Sequence, residues 1–217
     1  MADIKDRMMK YVSSNDRNIM INAAQGHFAT SHSHINYYID MSAIKTRQSE
    51  ANAAAEAIAE QYSATTVVDT ILCLDGCQVI GAYLAEHLAK AGILSMNAHK
   101  SIYILEPDFT PSGQMIFRDN IKGWIKDKHV LVLLASATTG RTLASAVETV
   151  KYYGGTISGV SAIFSAANSV SGIPIHKLFD SSDISDYVAY DANNCKLCQS
   201  GLKIDAICNS SGFSKIN

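Results

Sequence analysis

The sequence has no apolar run long enough to cross a membrane. Its longest unbroken apolar segment, Val130–Ala135, is far shorter than the roughly 20 residues that a membrane-spanning helix needs. Residues 1–10 mix charged and apolar positions and lack the apolar core of a signal peptide. We therefore expect a cytoplasmic protein with no membrane partner.

An excess of one charge is also absent. The chain has 18 basic and 20 acidic residues and a formal net charge of −2 at pH 7. It therefore lacks the basic composition of nucleic-acid-binding domains, and we expect no nucleic-acid partner. Its five cysteines are an odd number scattered along the chain, which fits a reducing compartment better than a disulfide framework.

The sequence does contain enough apolar residues for one sizeable core. With 217 residues, of which 47% are hydrophobic, its length favours a single domain over 1–217. From residue 49 onward, apolar runs alternate with helical stretches, a pattern typical of a parallel sheet covered by helices on both faces. The predicted helices span 49–62, 78–92 and 140–155, and the predicted strands span 66–74, 101–107, 129–135 and 156–166. The sequence thus predicts a doubly wound α/β fold.

Other regions do not follow this alternation. Residues 2–24 carry apolar side chains at helical spacing, which predicts an amphipathic helix. Residues 108–128 place a Pro-Ser-Gly turn between two short extended pieces, which predicts a projecting hairpin, either a lid over a site or a surface hairpin without a function. The end of the chain is polar and weakly patterned. We divide the domain into an N-terminal segment (1–48), an α/β core (49–180) and a tail (181–217).

The loop after the most apolar strand has the composition of a phosphate site. Backbone N–H groups at a helix N-terminus bind phosphate, and a glycine lets the ligand approach the backbone. The candidate phosphate-binding residues are Ser136, Ala137, Thr138, Thr139, Gly140, Arg141 and Thr142. The alternative is that the hydroxyls only cap the helix. The glycine-rich signatures of triphosphate and dinucleotide sites are absent, which leaves a single phosphate group as the expected ligand.

A second loop, after the strand at 66–74, contains Asp75 and Gly76. Ligands of parallel sheets bind beyond the carboxyl ends of the strands, so this loop should face the same crevice as the phosphate loop. Gly76 permits a tight turn whose N–H groups bind a second anion, and Asp75 can hold a hydrated metal or a hydroxyl. The alternative is an ordinary turn between a strand and a helix. Two anion loops in one crevice suit a ligand that carries phosphate at both ends.

Three ordered motifs resemble those of the orotate phosphoribosyltransferases, members of the type I phosphoribosyltransferase family. The first is GHFATSHSHINYYID (26–40). The second, HVLVLLASATTGRTL (129–143), resembles the family's loop for phosphoribosyl diphosphate (PRPP), and the third is CKLCQSGLKI (195–204). Because the motifs span nearly the whole chain in the family's order, the chain is identified as a member of the family on this resemblance.

The resemblance implies a parallel core sheet, a hood built from the N-terminal segment, a mobile hairpin over the site around 114–120, and a homodimer. It also implies transfer of ribose 5-phosphate from PRPP to a small-molecule base, with Mg²⁺ on the diphosphate. By position, the implied roles fall on Ala137–Thr142 for the 5′-phosphate, on Asp75 and Gly76 for the departing diphosphate, on Phe28, Thr30 and Ser31 near the base, and on Arg118 in the mobile hairpin.

The chain departs from the family pattern where acids are expected. The acidic pair of the family's PRPP loop falls on Leu134 and Ala135, so charge-assisted hydrogen bonds to the ribose, worth about 1.5–3 kcal/mol each, are lost. Ser33 occupies the position of a lysine in the hood motif, and the segment 112–120 offers only Arg118 as a cation. The catalytic residues are therefore unassigned.

Two functions stay open from the sequence, with a third behind them. The first is a phosphoribosyltransferase that acts on a pyrimidine-type base, with activity weakened by the missing acids. The second is a protein of the same fold that senses PRPP or a nucleoside monophosphate without transfer. The third is a structural dimer partner of an active relative.

Cysteines and histidines outside these loops form the last candidate group. Cys195 and Cys198 have the spacing of half a zinc site. Because the sequence shows no second pair and no nearby histidine to complete a set, it favours a turn with two packed thiols, and we assign no metal ligand. His27, His32 and His34 lie close together in the hood motif; they either act on a base or diphosphate or have a structural role.

Overall fold

A computed structural model of the chain describes residues 3–14, 16–62, 65–92, 95–98 and 101–216. The strands are β1 (Met8–Val12), β2 (Met20–Ala29), β3 (Ser33–Asp40), β4 (Thr70–Cys73), β5 (Tyr103–Leu105), β6 (Asp108–Phe109), β7 (Met115–Ile116), β8 (His129–Ala137), β9 (Thr156–Ser165), β10 (Ser169–Val170), β11 (Ile173–Phe179), β12 (Ala189–Asp191), β13 (Ala206–Asn209) and β14 (Gly212–Lys215). The helices are α1 (Ser42–Thr46), α2 (Gln48–Ala59), α3 (Gln78–Lys90), α4 (Arg141–Tyr152) and α5 (Lys196–Gln199). Among the helices of these ranges, none has the length and apolar character that crossing a membrane requires.

The apolar run of the sequence forms the centre of the core sheet, whose strand order is β10-β11-β9-β8-β4-β5. Residues 130–135 of β8 are all buried, and β8 pairs in parallel with β4 and with β9. Side chains of α2 and α3 pack on one face of this sheet and side chains of α4 on the other. A strand covered on both faces must be apolar along its length, which explains the central place of this run. The predicted doubly wound parallel sheet is confirmed.

A second sheet, here called the hood sheet, has the order β12-β3-β2-β13-β14, with β1 paired to β2. β2 and β3 form an antiparallel hairpin, and β13 runs parallel to β2 along the pairs Ala206–Phe28 and Ile207–Ala29. The polar segment after residue 180 thus supplies β12, β13 and β14 to the same sheet as the N-terminal strands. The hood sheet therefore joins the two ends of the chain.

The helix predicted over residues 2–24 was wrong. This region forms a 3-10 turn at Lys5–Arg7, then β1 and the start of β2. In β2 the side chains of Ile21 and Ala23 are buried while those of Met20 and Asn22 are exposed, which is the two-residue period of a strand. This alternation outweighs the helical spacing of a few apolar residues, because β1 and β3 pair with β2 and satisfy its backbone.

The excursion at 108–128 contains the predicted hairpin, in which β6 pairs with β7. Met115 and Phe117 are buried at its base, where the Phe117 ring meets the Tyr153 ring edge-on at 5.1 Å between centroids. Phe109, on the other strand, is exposed. The hairpin is therefore anchored through one of its strands to the end of α4.

Close packing between α2 and β9 depends on a glycine. The buried Tyr62 hydroxyl donates to the Val160 carbonyl at 3.2 Å and shares a hydrogen bond of 2.8 Å with the Ser161 hydroxyl. A Cβ placed on Gly159 would lie 2.4 Å from the Tyr62 ring. Since the ring is buried on all sides, a larger residue at position 159 must displace it.

We expect Gly159→Ala to lower the free energy of unfolding by about 1–3 kcal/mol, the usual cost of forcing an extra methyl group into a packed core. Urea unfolding monitored by circular dichroism measures the change. Gly123→Ala is the matched control, because nothing lies within 4 Å of a Cβ at Gly123, and it should stay within about 0.5 kcal/mol of the parent. Equal stability of the two variants would contradict the packing of Tyr62 against β9.

Candidate functional site

A cavity of about 250 Å³ lies at the carboxyl edge of the core sheet, between that edge and the hood sheet. The core lines it with Asp75 and with the loop 136–142, and the hood sheet lines it with the turns 30–32 and 209–210. This is the edge at which parallel sheets bind their ligands. The fold therefore brings the predicted phosphate loop, Asp75, Thr30 and Ser31 to one cavity.

The phosphate loop leads directly into α4. Gly140 precedes the helix in the left-handed region, with φ of +73°, and α4 begins at Arg141. The hydroxyls of Thr138, Thr139 and Thr142 make no hydrogen bond to any described residue. The alternative prediction, that these hydroxyls cap the helix, therefore does not describe the structure. The first N–H groups of α4 have no partner within the helix and face the cavity with the loop.

The loop after β4 turns through two residues with positive φ, Asp75 at +56° and Gly76 at +77°. Only the glycine adopts this backbone without cost. Burial raises the pKa of the Asp75 carboxyl, while the Lys45 ammonium and a hydrogen bond from the Ser210 hydroxyl oppose that rise. The loop thus presents a buried carboxyl to the cavity from the side that faces the hood sheet.

A buried lysine that the sequence did not single out holds this loop. Lys45 of α1 is 8% exposed, and its ammonium donates to the backbone carbonyl of Asp75 at 2.9 Å and to that of Ser210. It therefore links α1, the loop after β4 and the turn between β13 and β14. No spacing rule predicts this contact, because its two acceptors are backbone atoms far away in the sequence.

The base-side residues do not share one environment. Ser31 and His32 are exposed in the turn between β2 and β3, and Thr30 closes that turn with a hydrogen bond from its hydroxyl to the Ser33 carbonyl at 2.9 Å. Phe28 was assigned to the base side by resemblance, but it is fully buried and packs near Tyr38, with centroids 6.0 Å apart. Its place in β2 directs it into the core instead of the cavity.

The opposite side of the cavity carries an aromatic pair. Tyr187 and Phe164 both line it, and their rings meet edge-on at 4.9 Å between centroids. The Tyr187 hydroxyl is buried and has no hydrogen-bond partner among the described residues. Burial also raises the pKa of this hydroxyl, which keeps it protonated and able to donate.

The positions of the missing acids lie on opposite faces of β8. Leu134 is buried and lines the cavity. Ala135, the next residue, packs with the core cluster that includes α2 and α3, because successive side chains of a strand alternate between faces. Only Leu134 therefore replaces an acid where a ligand would lie.

Arg118 lies outside the cavity in this structure. Its guanidinium donates to the Asp108 carboxylate at 2.6 Å, which closes the base of the hairpin. Asp119, next in the chain, pairs with Lys122. Among the described residues that line the cavity, Asp75 is the one carboxylate, and Arg141 is the one arginine or lysine.

We expect Lys45→Met to destabilise the protein by about 1–3 kcal/mol for each carbonyl that loses its donor. Thermal and urea unfolding measure this loss. Lys90→Met is the matched control, because Lys90 is an exposed partner of Glu86 on α3 and such pairs contribute about 0–1 kcal/mol. If the two variants lose equal stability, Lys45 does not hold the loop after β4.

Comparison with known proteins gives a match in fold but not in sequence. No protein-family model matches the chain, and none of the curated proteins matches it. An orotate phosphoribosyltransferase of Mycobacterium tuberculosis H37Rv in complex with PRPP has a TM-score of 0.51 at 14% identity, over 68% of this chain and 83% of that chain. The adenine phosphoribosyltransferase of Trypanosoma brucei in complex with AMP, pyrophosphate and ribose-5-phosphate has a TM-score of 0.51 at 14% identity, over 74% and 78%.

A third structure, adenine phosphoribosyltransferase from Thermoanaerobacter pseudethanolicus, has a TM-score of 0.50 at 14% identity, over 82% of this chain and 97% of that chain. The matched structures include enzymes for a pyrimidine and for a purine, so they agree on architecture and not on the base. The open parallel sheet, the loop before α4 and the covering hood sheet together have a known architecture. The chain has the fold of the type I phosphoribosyltransferases.

Proposed function

We propose that the protein is a phosphoribosyltransferase that transfers ribose 5-phosphate from PRPP to a pyrimidine-type base and releases diphosphate. The observation that carries the proposal is the uncapped N-terminus of α4, which faces the Asp75 loop across one cavity. The orotate and adenine enzymes of the same fold were solved with PRPP and with AMP, pyrophosphate and ribose-5-phosphate. These are ligands with phosphate at one or both ends of a ribose.

The 5′-phosphate would lie at the loop 136–142. Free backbone N–H groups at the start of α4 and the unpaired hydroxyls of Thr138, Thr139 and Thr142 supply donors for its oxygens. Arg141, exposed at the opening of the cavity, adds a charge-assisted contact. The loop binds the group that does not change during the reaction, so its role is to position the ribose.

The diphosphate end would lie between Asp75, Gly76 and the turn at 209–210. Lys45 fixes this side, because its ammonium binds the backbone of both segments. Oxygen donors from Asp75, Asn209 and Ser210 line the cavity here, and they fit Mg²⁺, which is bound through one or two carboxylates together with substrate phosphates. Bound Mg²⁺ would supply positive charge that stabilises the departing diphosphate.

Transfer needs little covalent chemistry from the protein. Phosphoribosyl transfer passes through a dissociative transition state, so catalysis is mainly positioning and stabilisation of the leaving group's charge. In this chain the phosphate loop fixes one end of the ribose and the Asp75 loop fixes the other. Leu134 gives the ribose an apolar contact where acids would bind its hydroxyls, so we expect slow turnover.

The base would lie between the turn 30–32 and the aromatic pair of Tyr187 and Phe164. The hydroxyl of Tyr187 is a buried donor without a partner, and such a group gains most when a ligand satisfies it. A pyrimidine-type base offers ring carbonyl oxygens as acceptors. The hood motif, which resembles that of the orotate enzymes, supports this choice of base.

A second candidate function is a PRPP or nucleotide sensor of the same fold. The observation that favours it is Leu134, which places a buried aliphatic side chain in the cavity wall. In this case the phosphate loop binds the ligand and no transfer follows. We expect a homodimer under either function, as the resemblance implies, and light scattering measures the molecular mass.

Calorimetric titration with Mg-PRPP and with orotidine, uridine and adenosine monophosphates tests both functions, followed by diphosphate-release assays with orotate, uracil and adenine. The enzyme proposal predicts binding of PRPP and diphosphate release with a pyrimidine. Binding without release on every base would replace the enzyme by the sensor. If no phosphate ligand binds, both proposals fail.

Thr139→Asp should reduce binding of PRPP below detection, since it places a carboxylate at the anion site where like charges repel. Ser145→Asp is the matched control, because it adds the same charge to an exposed position of α4 outside the cavity. Calorimetry on the two folded variants gives the comparison. Retained affinity in Thr139→Asp would show that the phosphate binds elsewhere.

Tyr187→Phe should raise the stability of the free protein by up to about 1–3 kcal/mol, because it removes a buried hydroxyl that has no partner. The same change should weaken binding of a pyrimidine nucleoside monophosphate by roughly 2- to 10-fold, the value of one hydrogen bond, while ribose 5-phosphate binding stays constant. Tyr152→Phe is the control, since Tyr152 is 84% exposed. Equal losses for both ligands would remove Tyr187 from the base site.

A further inference from the structure

Four side chains from distant parts of the sequence meet at one edge of the hood sheet. They are His27 of β2, His34 of β3, Cys195 just before α5 and Cys198 within α5. One donor atom from each residue lies within 4.8 Å of the other three. None of these residues lines the cavity described above, so the cluster is separate from it.

The spacing of the donor atoms matches a tetrahedral metal site. The Nε2 of His27 lies 3.0 Å from the Nδ1 of His34 and 3.6 and 3.7 Å from the two sulfurs. The Cys198 Sγ lies 3.3 Å from the Nδ1 of His34. A tetrahedral zinc ion with bonds of about 2.0–2.1 Å to nitrogen and 2.3 Å to sulfur holds its ligands about 3.3–3.8 Å apart. The four atoms therefore stand close to the corners that an ion would impose.

The surroundings of His27 fix its orientation for this role. Its Nδ1 lies 2.8 Å from the Leu202 carbonyl, which can only accept, so Nδ1 carries the proton and Nε2 offers its lone pair to the cluster. Metal-bound histidines typically donate their second ring nitrogen to a carbonyl or carboxylate in this way. The backbone N–H of His27 is held by the Asp205 carboxylate at 2.9 Å, and Asp205 pairs with Arg7 at 3.0 Å.

The sequence-based expectation that no histidine completes the cysteine pair was wrong in space. His27 and His34 precede Cys195 by more than 150 positions in the chain, and the antiparallel pairing of β2 with β3 brings them together. β12 then pairs with β3, which places the following Cys195 beside the two rings. Two-residue spacing identified the cysteine half of the set, and the hood sheet supplies the other half.

We infer that His27, His34, Cys195 and Cys198 bind one structural zinc ion that fastens the C-terminal segment to the hairpin of β2 and β3. Two thiolates and two imidazoles are a common ligand set for structural zinc, and four protein ligands leave no open position for catalysis. A two-iron cluster with the same residues divides the histidines and cysteines between two irons, whereas these four donor atoms surround one point. This inference does not depend on the proposed function.

The position of the ion gives it a structural consequence. His27 and His34 lie on either side of the turn 30–32, which lines the cavity. Cys195 is buried and Cys198 is exposed, so the ion would sit at the edge of the sheet, within reach of chelators. We expect its removal to loosen both this turn and α5, which is only four residues long and too short to be stable alone.

Elemental analysis of the full chain, purified reduced and without a metal-affinity tag, tests the inference. We expect about one zinc ion per chain. Reconstitution with Co²⁺ should give the intense visible absorption of tetrahedral cobalt, with a sulfur-to-cobalt charge-transfer band. A protein with free thiols that takes up neither zinc nor cobalt would overturn the inference. A coloured iron protein would replace zinc by an iron site and would also overturn it.

Single substitutions locate the ion. Cys198→Ser and His34→Ala should lower zinc affinity by more than the 10- to 100-fold that loss of an outer hydrogen-bonding partner costs. Cys73→Ala and His32→Ala are the matched controls, because they remove a buried thiol of β4 and a histidine two residues from His34, and their zinc content should equal that of the parent. Loss of zinc in the controls alone would place the ion elsewhere. The cobalt spectrum of the unmodified chain keeps the test decisive if a variant does not fold.

Discussion

The parallel pairing of β8 with β4 and β9 is the constraint on which the rest of this structure depends. Because β8 is buried on both faces, it must be apolar along most of its length, and its polar continuation can begin only at the carboxyl edge. The loop 136–142 and Asp75 therefore emerge side by side. The cavity exists at that edge because two parallel strands deliver their loops there, and α4 then directs its free N–H groups toward the same space.

The hood sheet covers this edge through contacts that cross long stretches of sequence. Lys45 binds the backbone of the core loop at Asp75 and of the hood turn at Ser210, so hood and core are fixed at the cavity itself. At the far side of the hairpin of β2 and β3, the His27 cluster joins the last segment of the chain to the sheet. Both contacts hold elements whose own secondary structure is short. The cavity wall is thus stabilised by polar contacts around it instead of by a large apolar hood.

The sequence predicts the core well and the hood poorly, for a physical reason. The central strand, the helices after it and the hairpin at 108–128 have local signals, namely apolar runs, helical periodicity and a Pro-Ser-Gly turn. The hood has strands with mixed burial, so a few apolar residues at helical spacing in 2–24 gave a false helix. Phe28 shows the same difficulty, since its motif marks the right strand but cannot tell which face of the strand it occupies.

Contacts between distant residues were beyond local patterns altogether. Lys45 binds backbone carbonyls, which leave no trace in side-chain spacing, and His27 meets Cys195 only because the sheet contains both ends of the chain. The alternation of β8 also refines what the motif implied, because Leu134 faces the cavity and Ala135 does not.

The central claim is that the start of α4 is a phosphate site facing the Asp75 loop. A crystal structure of the protein with ribose 5-phosphate tests it most directly. The account predicts the phosphate oxygens at hydrogen-bond distance, about 2.7–3.2 Å, from backbone N–H groups of residues 139–142, with the ribose extending toward Leu134 and Asp75. A phosphate bound away from α4, with the loop 136–142 empty at saturating ligand, would contradict it.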